Sequence, residues 1–191
     1  IDHAGLWRAM RALSLELAQA VERDAFLDEC LDIVMRSLDA DRGMILLGDP
    51  ATATVVNARS QSRPLTAQEC AEVSRSLIHR VLETGECVTW SRQDEDPSRA
   101  SLREMGVWYA MAAPMRLSSA VGGQSAGIIG VLYVDFRSYN KQVGELHGQL
   151  LETVAVLLAS IAHQQRLLDD TRNDLELARA TSAPSAIDRL P

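Results

Sequence analysis

Apolar residues recur along this chain at two spacings, three or four positions apart in some stretches and consecutive or alternate in others. Leu6, Met10, Leu13, Leu17 and Val21 step by three or four, with Arg8, Arg11, Glu16 and Gln19 on the remaining sides, which predicts an amphipathic helix. Asp24 stands ahead of Phe26, Leu27, Cys30, Leu31, Val34, Met35 and Leu38, an N-cap candidate followed by a second helix of the same period. Residues 44–47 form a short buried strand, and 51–59, through Val55 and Val56, supply its hairpin partner across the turn at Gly48 and Pro50. Thr66 with Glu69 resembles a capping box and opens one helix through Val73, Leu77, Ile78, Val81 and Leu82 to Gly85. A brief strand at 87–90 follows, then a polar loop and a short helix at 98–105.

Two apolar runs, 108–117 and 126–136, flank a Gly/Ser-rich turn and are expected to pair as antiparallel strands. The second is apolar at consecutive positions from Ile128 to Val134, so both its faces need cover and it belongs at the centre of a sheet.

The longest regular stretch runs from about 143 to 180. Leu150, Val154, Leu157, Ile161, Gln164, Leu168, Thr171, Leu175 and Ala178 alternate steps of four and three, the repeat of a coiled-coil seam. Leu151 and Leu158 widen the stripe near its start, enough to cover a sheet as well. From His163 onward only the narrow seam remains, and a helix of that kind needs a partner, most simply a second copy. We therefore expect a parallel homodimer. Leu6, Met10, Leu13 and Leu17 would join Leu150, Val154, Leu157 and Ile161 in a four-helix bundle, with Leu168 and Leu175 in the emerging coil.

Composition narrows the function classes. The chain has 191 residues, 47% hydrophobic and 24% charged, which suits one globular domain with extensions. A net charge of −7 argues against a nucleic-acid-binding face. Cys30, Cys70 and Cys87 sit at no metal-like spacing, which fits a reducing cytoplasm without disulfides or zinc. No apolar stretch is expected to be long enough to cross a membrane. The start at Ile1 and the polar end suggest a piece of a longer protein, with an output module covalently linked outside it. No nucleophile elbow, metal cluster or phosphate-cradling glycine loop is visible, so a non-catalytic module is expected.

Four segments carry a family resemblance: Val81-Leu-Glu-Thr-Gly-Glu-Cys-Val88, Leu102-Arg-Glu-Met-Gly-Val107, Ala112-Ala-Pro-Met-Arg116 and Gly130-Val-Leu-Tyr-Val-Asp135. In this order they resemble a GAF domain, a small-ligand and signalling module related to PAS domains. The resemblance implies an α+β fold. A central antiparallel GAF/PAS-like sheet of five or six strands would carry the terminal helices on one face, with a pocket on the other beneath the segments between Ser74 and Gly106. The long C-terminal helix would extend as a coiled coil. The expected organisation is an N-terminal dimerisation helix at 1–23, the GAF domain at 24–163, a coiled-coil extension at 164–180 and a linker at 181–191. Similar domains are attached to histidine kinases, cyclase or phosphatase outputs and enhancer-dependent transcription activators.

On that geometry Trp90, Arg103, Met105, Trp108, Tyr109, Met111 and Tyr133 are the pocket candidates. Large aromatic and Met side chains there either line a small apolar pocket or fill it, and Trp108-Tyr109 disfavours a polar ligand. Arg103 and Glu104 are anchors for a charged group or plain surface charges. No cofactor is expected. Asn140-Lys141 lacks the rest of the cyclic-nucleotide signature, and no cysteine is followed by the histidine of bilin-binding relatives. A haem would rely on His79, which reads more simply as a surface residue. Cys87, beside the pocket, is a redox candidate against a bland thiol reading. Two functions stay open: a ligand or signal sensor, and a dimerisation scaffold whose pocket is degenerate.

Overall fold

The computed structural model describes residues 3–19, 23–48, 52–61, 63–71, 73–94, 100–117, 127–141 and 143–182. The consecutive apolar run lies at the centre of the sheet. β5 (Ile128–Phe136) pairs with β1 (Arg42–Leu47) on one side and β4 (Tyr109–Arg116) on the other. The five strands are antiparallel in the order β2-β1-β5-β4-β3, with β2 (Thr54–Ser60) and β3 (Val88–Ser91) at the edges. Gly130 lets β5 approach β1. A Cβ there would lie 2.1 Å from the Leu46 carbonyl oxygen, a contact no side chain survives.

Strand alternation divides the core into two layers. Leu132, Val134 and Phe136 face the terminal-helix side with Ile45, Met111, Ala113 and Met115. There they meet α2 (Arg23–Leu38) and α6 (Glu145–Ser182), while α1 (His3–Gln19) lies on α2 and touches α6. Val131 and Tyr133 face the other way with Met44, Leu46, Trp90, Ala110 and Ala112, beneath α4 (Arg75–Thr84) and α5 (Ala100–Glu104). The first and last helices thus share one face, as expected.

Two expectations need correction. The single helix after Thr66 is two. The capping box forms, Thr66 N–H donating to Glu69 Oε2 at 2.8 Å and Glu69 N–H to Thr66 Oγ1 at 3.3 Å, but α3 covers only Ala67–Ala71. Ser74 then caps α4 afresh by accepting the Leu77 N–H, and Gly85, at φ 68°, closes it by donating to the Val81 carbonyl.

The second correction concerns the dimer seam. Leu150, Val154 and Ile161 are buried in the protein's own core and Leu157 is half-buried, because the broad stripe here packs on β4 and β5. Beyond Gln164 the helix leaves the sheet, with Leu167, Leu175 and Leu177 exposed. On α1, Met10 is half-buried and Trp7 and Leu15 are exposed; the side chains of Leu6, Leu13, Leu17 and Leu168 lie outside the described residues.

Within α6, Glu145–Gln164 is long and apolar enough by composition to cross a membrane, contrary to the sequence expectation. Its apolar side is nevertheless spent on the sheet, which makes it the core helix of the domain.

Candidate functional site

The face opposite α6 is built from β1, β5 and β4 below and α3, α4 and α5 above. Its β3–β4 end is filled: Trp90, Tyr133, Leu77 and Leu102 are fully buried and in one cluster. Trp90 and Tyr133 therefore lie on the expected face as packing. Met105 packs against the same cluster, and Arg103 donates through Nη2 to the Asp94 carbonyl, tying α5 to the loop after β3. Trp108 sits at the sheet's end, with the Arg92 guanidinium 4.8 Å above its ring and Tyr139 at 5.8 Å.

Tyr109 and Met111 do not join this group. Ala110 and Ala112 face α4, so their neighbours along β4 turn to the terminal-helix layer, where both Tyr109 and Met111 pack.

A polar network crosses the same face. Arg42 Nε donates to Asp135 Oδ1 at 3.1 Å and Oδ2 at 2.9 Å, and the Tyr133 hydroxyl donates to Oδ2 at 3.1 Å. Burial pushes the Asp135 carboxyl up from its ordinary value against the pull of Arg42. Tyr133 is pushed well up too, first by burial and then by the Asp135 charge.

At the β1–β2 end the face opens. A cleft of about 450 Å³ lies between β1, β2, α3 and α4, walled by Leu46, Val55, Cys70, Val73 and Ile78 with Ala53, Ala67 and Ala71. This volume suits a small ligand. Exposed Arg75 and His79 stand at its rim on successive turns of α4, and His79 Nδ1 lies 3.1 Å from Glu83. The cleft is thus apolar inside, with the Arg75 guanidinium and a His79 imidazole paired with Glu83 at its mouth. It exists because α3 stops at Ala71 and α4 begins at Arg75, behind the Ser74 cap. A sequence reading that joined the two helices missed it, and Ser74, three residues before the apolar Leu77, was the signal available.

The thiols are poorly suited to nucleophilic work. Cys30 is buried in the terminal-helix core, and burial pushes Cys70 up, with Arg42 opposing. Cys87 faces α6 and is pushed up to about 11 by burial, with the Glu152 charge adding to it. Among the described residues no three His, Cys, Asp or Glu side chains converge as a metal site.

A GAF domain family model matches residues 22–164. Among solved structures, the GAF domain of a phosphoenolpyruvate-protein phosphotransferase from Coxiella burnetii superposes with a TM-score of 0.67 at 16% identity, covering 87% of this chain and 98% of that one. A free methionine-R-sulfoxide reductase from Neisseria meningitidis, in complex with its substrate, gives 0.64 at 16% identity over 88% and 95%. The GAF domain of a putative sensor histidine kinase from Pseudomonas syringae pv. tomato gives 0.59 at 16% over 88% and 93%. No curated protein sequence matches the chain.

Proposed function

Because the chain belongs to the GAF domain family, we propose that it is a cytoplasmic regulatory module that binds a small ligand with an apolar body and an anionic end. The single observation that carries this reading is the cleft under α3 and α4, apolar within and bordered by Arg75 and His79. The module is non-catalytic: its thiols are buried or pushed up, and the one acid–base pair at the cleft among the described residues, His79 with Glu83, is exposed at the rim with no nucleophile or metal site beside it. It uses no haem, bilin or cyclic nucleotide.

α4 packs on β4 and β5 from one side of the sheet, and α6 packs on the same two strands from the other. A ligand that binds one arrangement of α4 more tightly shifts the population of α6 arrangements across that shared layer. The module works as a homodimer, with exposed Trp7, Leu15, Leu167 and Leu175 on the terminal helices meeting a second copy. The paired helices lead to a linked output module of the histidine kinase, cyclase or phosphatase, or transcription-activator kind.

Anilinonaphthalene sulfonate, an aromatic body with an anionic end, is a suitable probe. It should bind saturably, and Ile78→Trp, which fills the cleft, should weaken binding at least about tenfold while far-ultraviolet circular dichroism stays native. The dense packing of Trp90, Tyr133 and Leu102 favours a second reading, a dimerisation scaffold without ligand. Under that reading the native dimer binds no probe at this site.

A further inference from the structure

The outer edge of β3 borders two hollows that the proposed ligand cleft does not use. Val88↔Ala112 and Trp90↔Ala110 are register partners, and Arg92 N–H continues the ladder to the Trp108 carbonyl at 2.8 Å. By antiparallel alternation Cys87, Thr89 and Ser91 then point their backbone N–H and C=O groups away from the sheet. Asp94 closes the pair at Ser91: its Oδ2 accepts the Ser91 N–H at 2.8 Å and its own N–H donates to the Ser91 carbonyl at 2.9 Å. Thr89, exposed, keeps its edge open among the described residues.

The side chains of Cys87 and Thr89 look into a groove of about 540 Å³ against the first two turns of α6, where Glu145, Gln149 and Glu152 stand. Gln149 donates to Glu145 at 3.1 Å, and neither carboxylate has a basic partner among the described residues. Gly144 and Gly148 keep the groove low. A Cβ at Gly144 would meet nothing within 4 Å, and one at Gly148 only Met111 Cε at 3.7 Å. Packing therefore does not demand glycine at either place, although glycine weakens a helix relative to alanine. On the opposite face of the edge lies a second hollow of about 380 Å³, lined by Arg80, Thr84, Val88 and Asp94 among others.

We propose that β3 and this groove dock an extended segment of a partner protein bearing Lys or Arg on one face. Such a segment adds a strand beside Thr89, and period-two geometry sends alternate side chains into the two hollows. Those facing α6 meet Glu145 and Glu152, whose unneutralised charge selects basic residues. Occupancy places the partner directly on the opening turns of α6, so this surface is an input separate from the small-ligand cleft.

A fluorescein-labelled heptapeptide alternating lysine and valine, read by fluorescence anisotropy on the intact protein, tests this. It should bind saturably. The Glu145→Lys, Glu152→Lys double variant and the groove-filling Gly148→Phe should each bind at least about tenfold more weakly with unchanged circular dichroism, and a peptide N-methylated on its pairing edge should lose binding similarly. Absence of binding, equal binding by the N-methylated peptide, or variants that bind like wild type would each overturn the proposal. An edge-to-edge dimer of the protein alone, dissolved by Glu152→Lys, would overturn it in favour of a second copy as occupant.

Discussion

Arg42 and Asp135 are register partners on β1 and β5, and the Arg42 Nε spans both carboxylate oxygens with both residues buried. A buried pair of this kind contributes modestly as a whole, yet loss of one member strands the other charge. Asp135→Leu should therefore cost about 3–5 kcal/mol of unfolding free energy in urea titration. Arg42→Met with Asp135→Leu should recover most of that, and a double variant no better than the single would contradict it.

Gly130→Ala should be among the most damaging single substitutions in the sheet. Its Cβ would press on the Leu46 carbonyl and, at 3.0 Å, on Leu47 Cδ2, so β1 and β5 must separate. The expected loss lies at the upper end of the roughly 1–3 kcal/mol of overpacking. Calorimetry of the variant checks it.

The start of α6 should be acid-sensitive through His147. Its Nδ1 accepts the Gly144 N–H at 3.1 Å, which needs an unprotonated nitrogen, and burial lowers its pKa from 6.5. A depressed folded-state pKa means the unfolded chain takes up the proton first. The contribution is complete above about pH 6.5 and is lost as pH falls through the folded value. Urea midpoints at pH 7.5 and 5.5 should differ more for wild type than for His147→Phe.

Much of this architecture was legible from residue spacing. The unbroken apolar run of β5 demanded cover on two sides, and the structure supplies it from α4 and from α6. Less legible was which residues point where. Tyr109 and Met111 looked like pocket residues only because strand parity at Ala110 and Ala112 was unassigned. Leu150, Val154 and Ile161 matched a coiled-coil repeat, but a sheet-covering stripe has nearly the same period, and only the sheet's position separates them. The cleft depended on the break between α3 and α4, which is set by the cap at Ser74 and leaves no mark in the hydrophobic pattern.

Association should run through the exposed part of the terminal helices. Leu167→Asp with Leu175→Asp alters side chains that are 51% and 54% exposed, so the fold should be unchanged while sedimentation shifts from dimer to monomer. Wild type sedimenting as a monomer at micromolar concentration would refute the dimer.

Hydrogen–deuterium exchange of the intact protein, with and without saturating anilinonaphthalene sulfonate, bears most directly on the coupling of cleft to helix. Occupation of the cleft should change amide protection in α4 and also along Glu145–Ser182, on the far side of β4 and β5. Changes confined to α3, α4 and β2, with α6 untouched, would contradict the account.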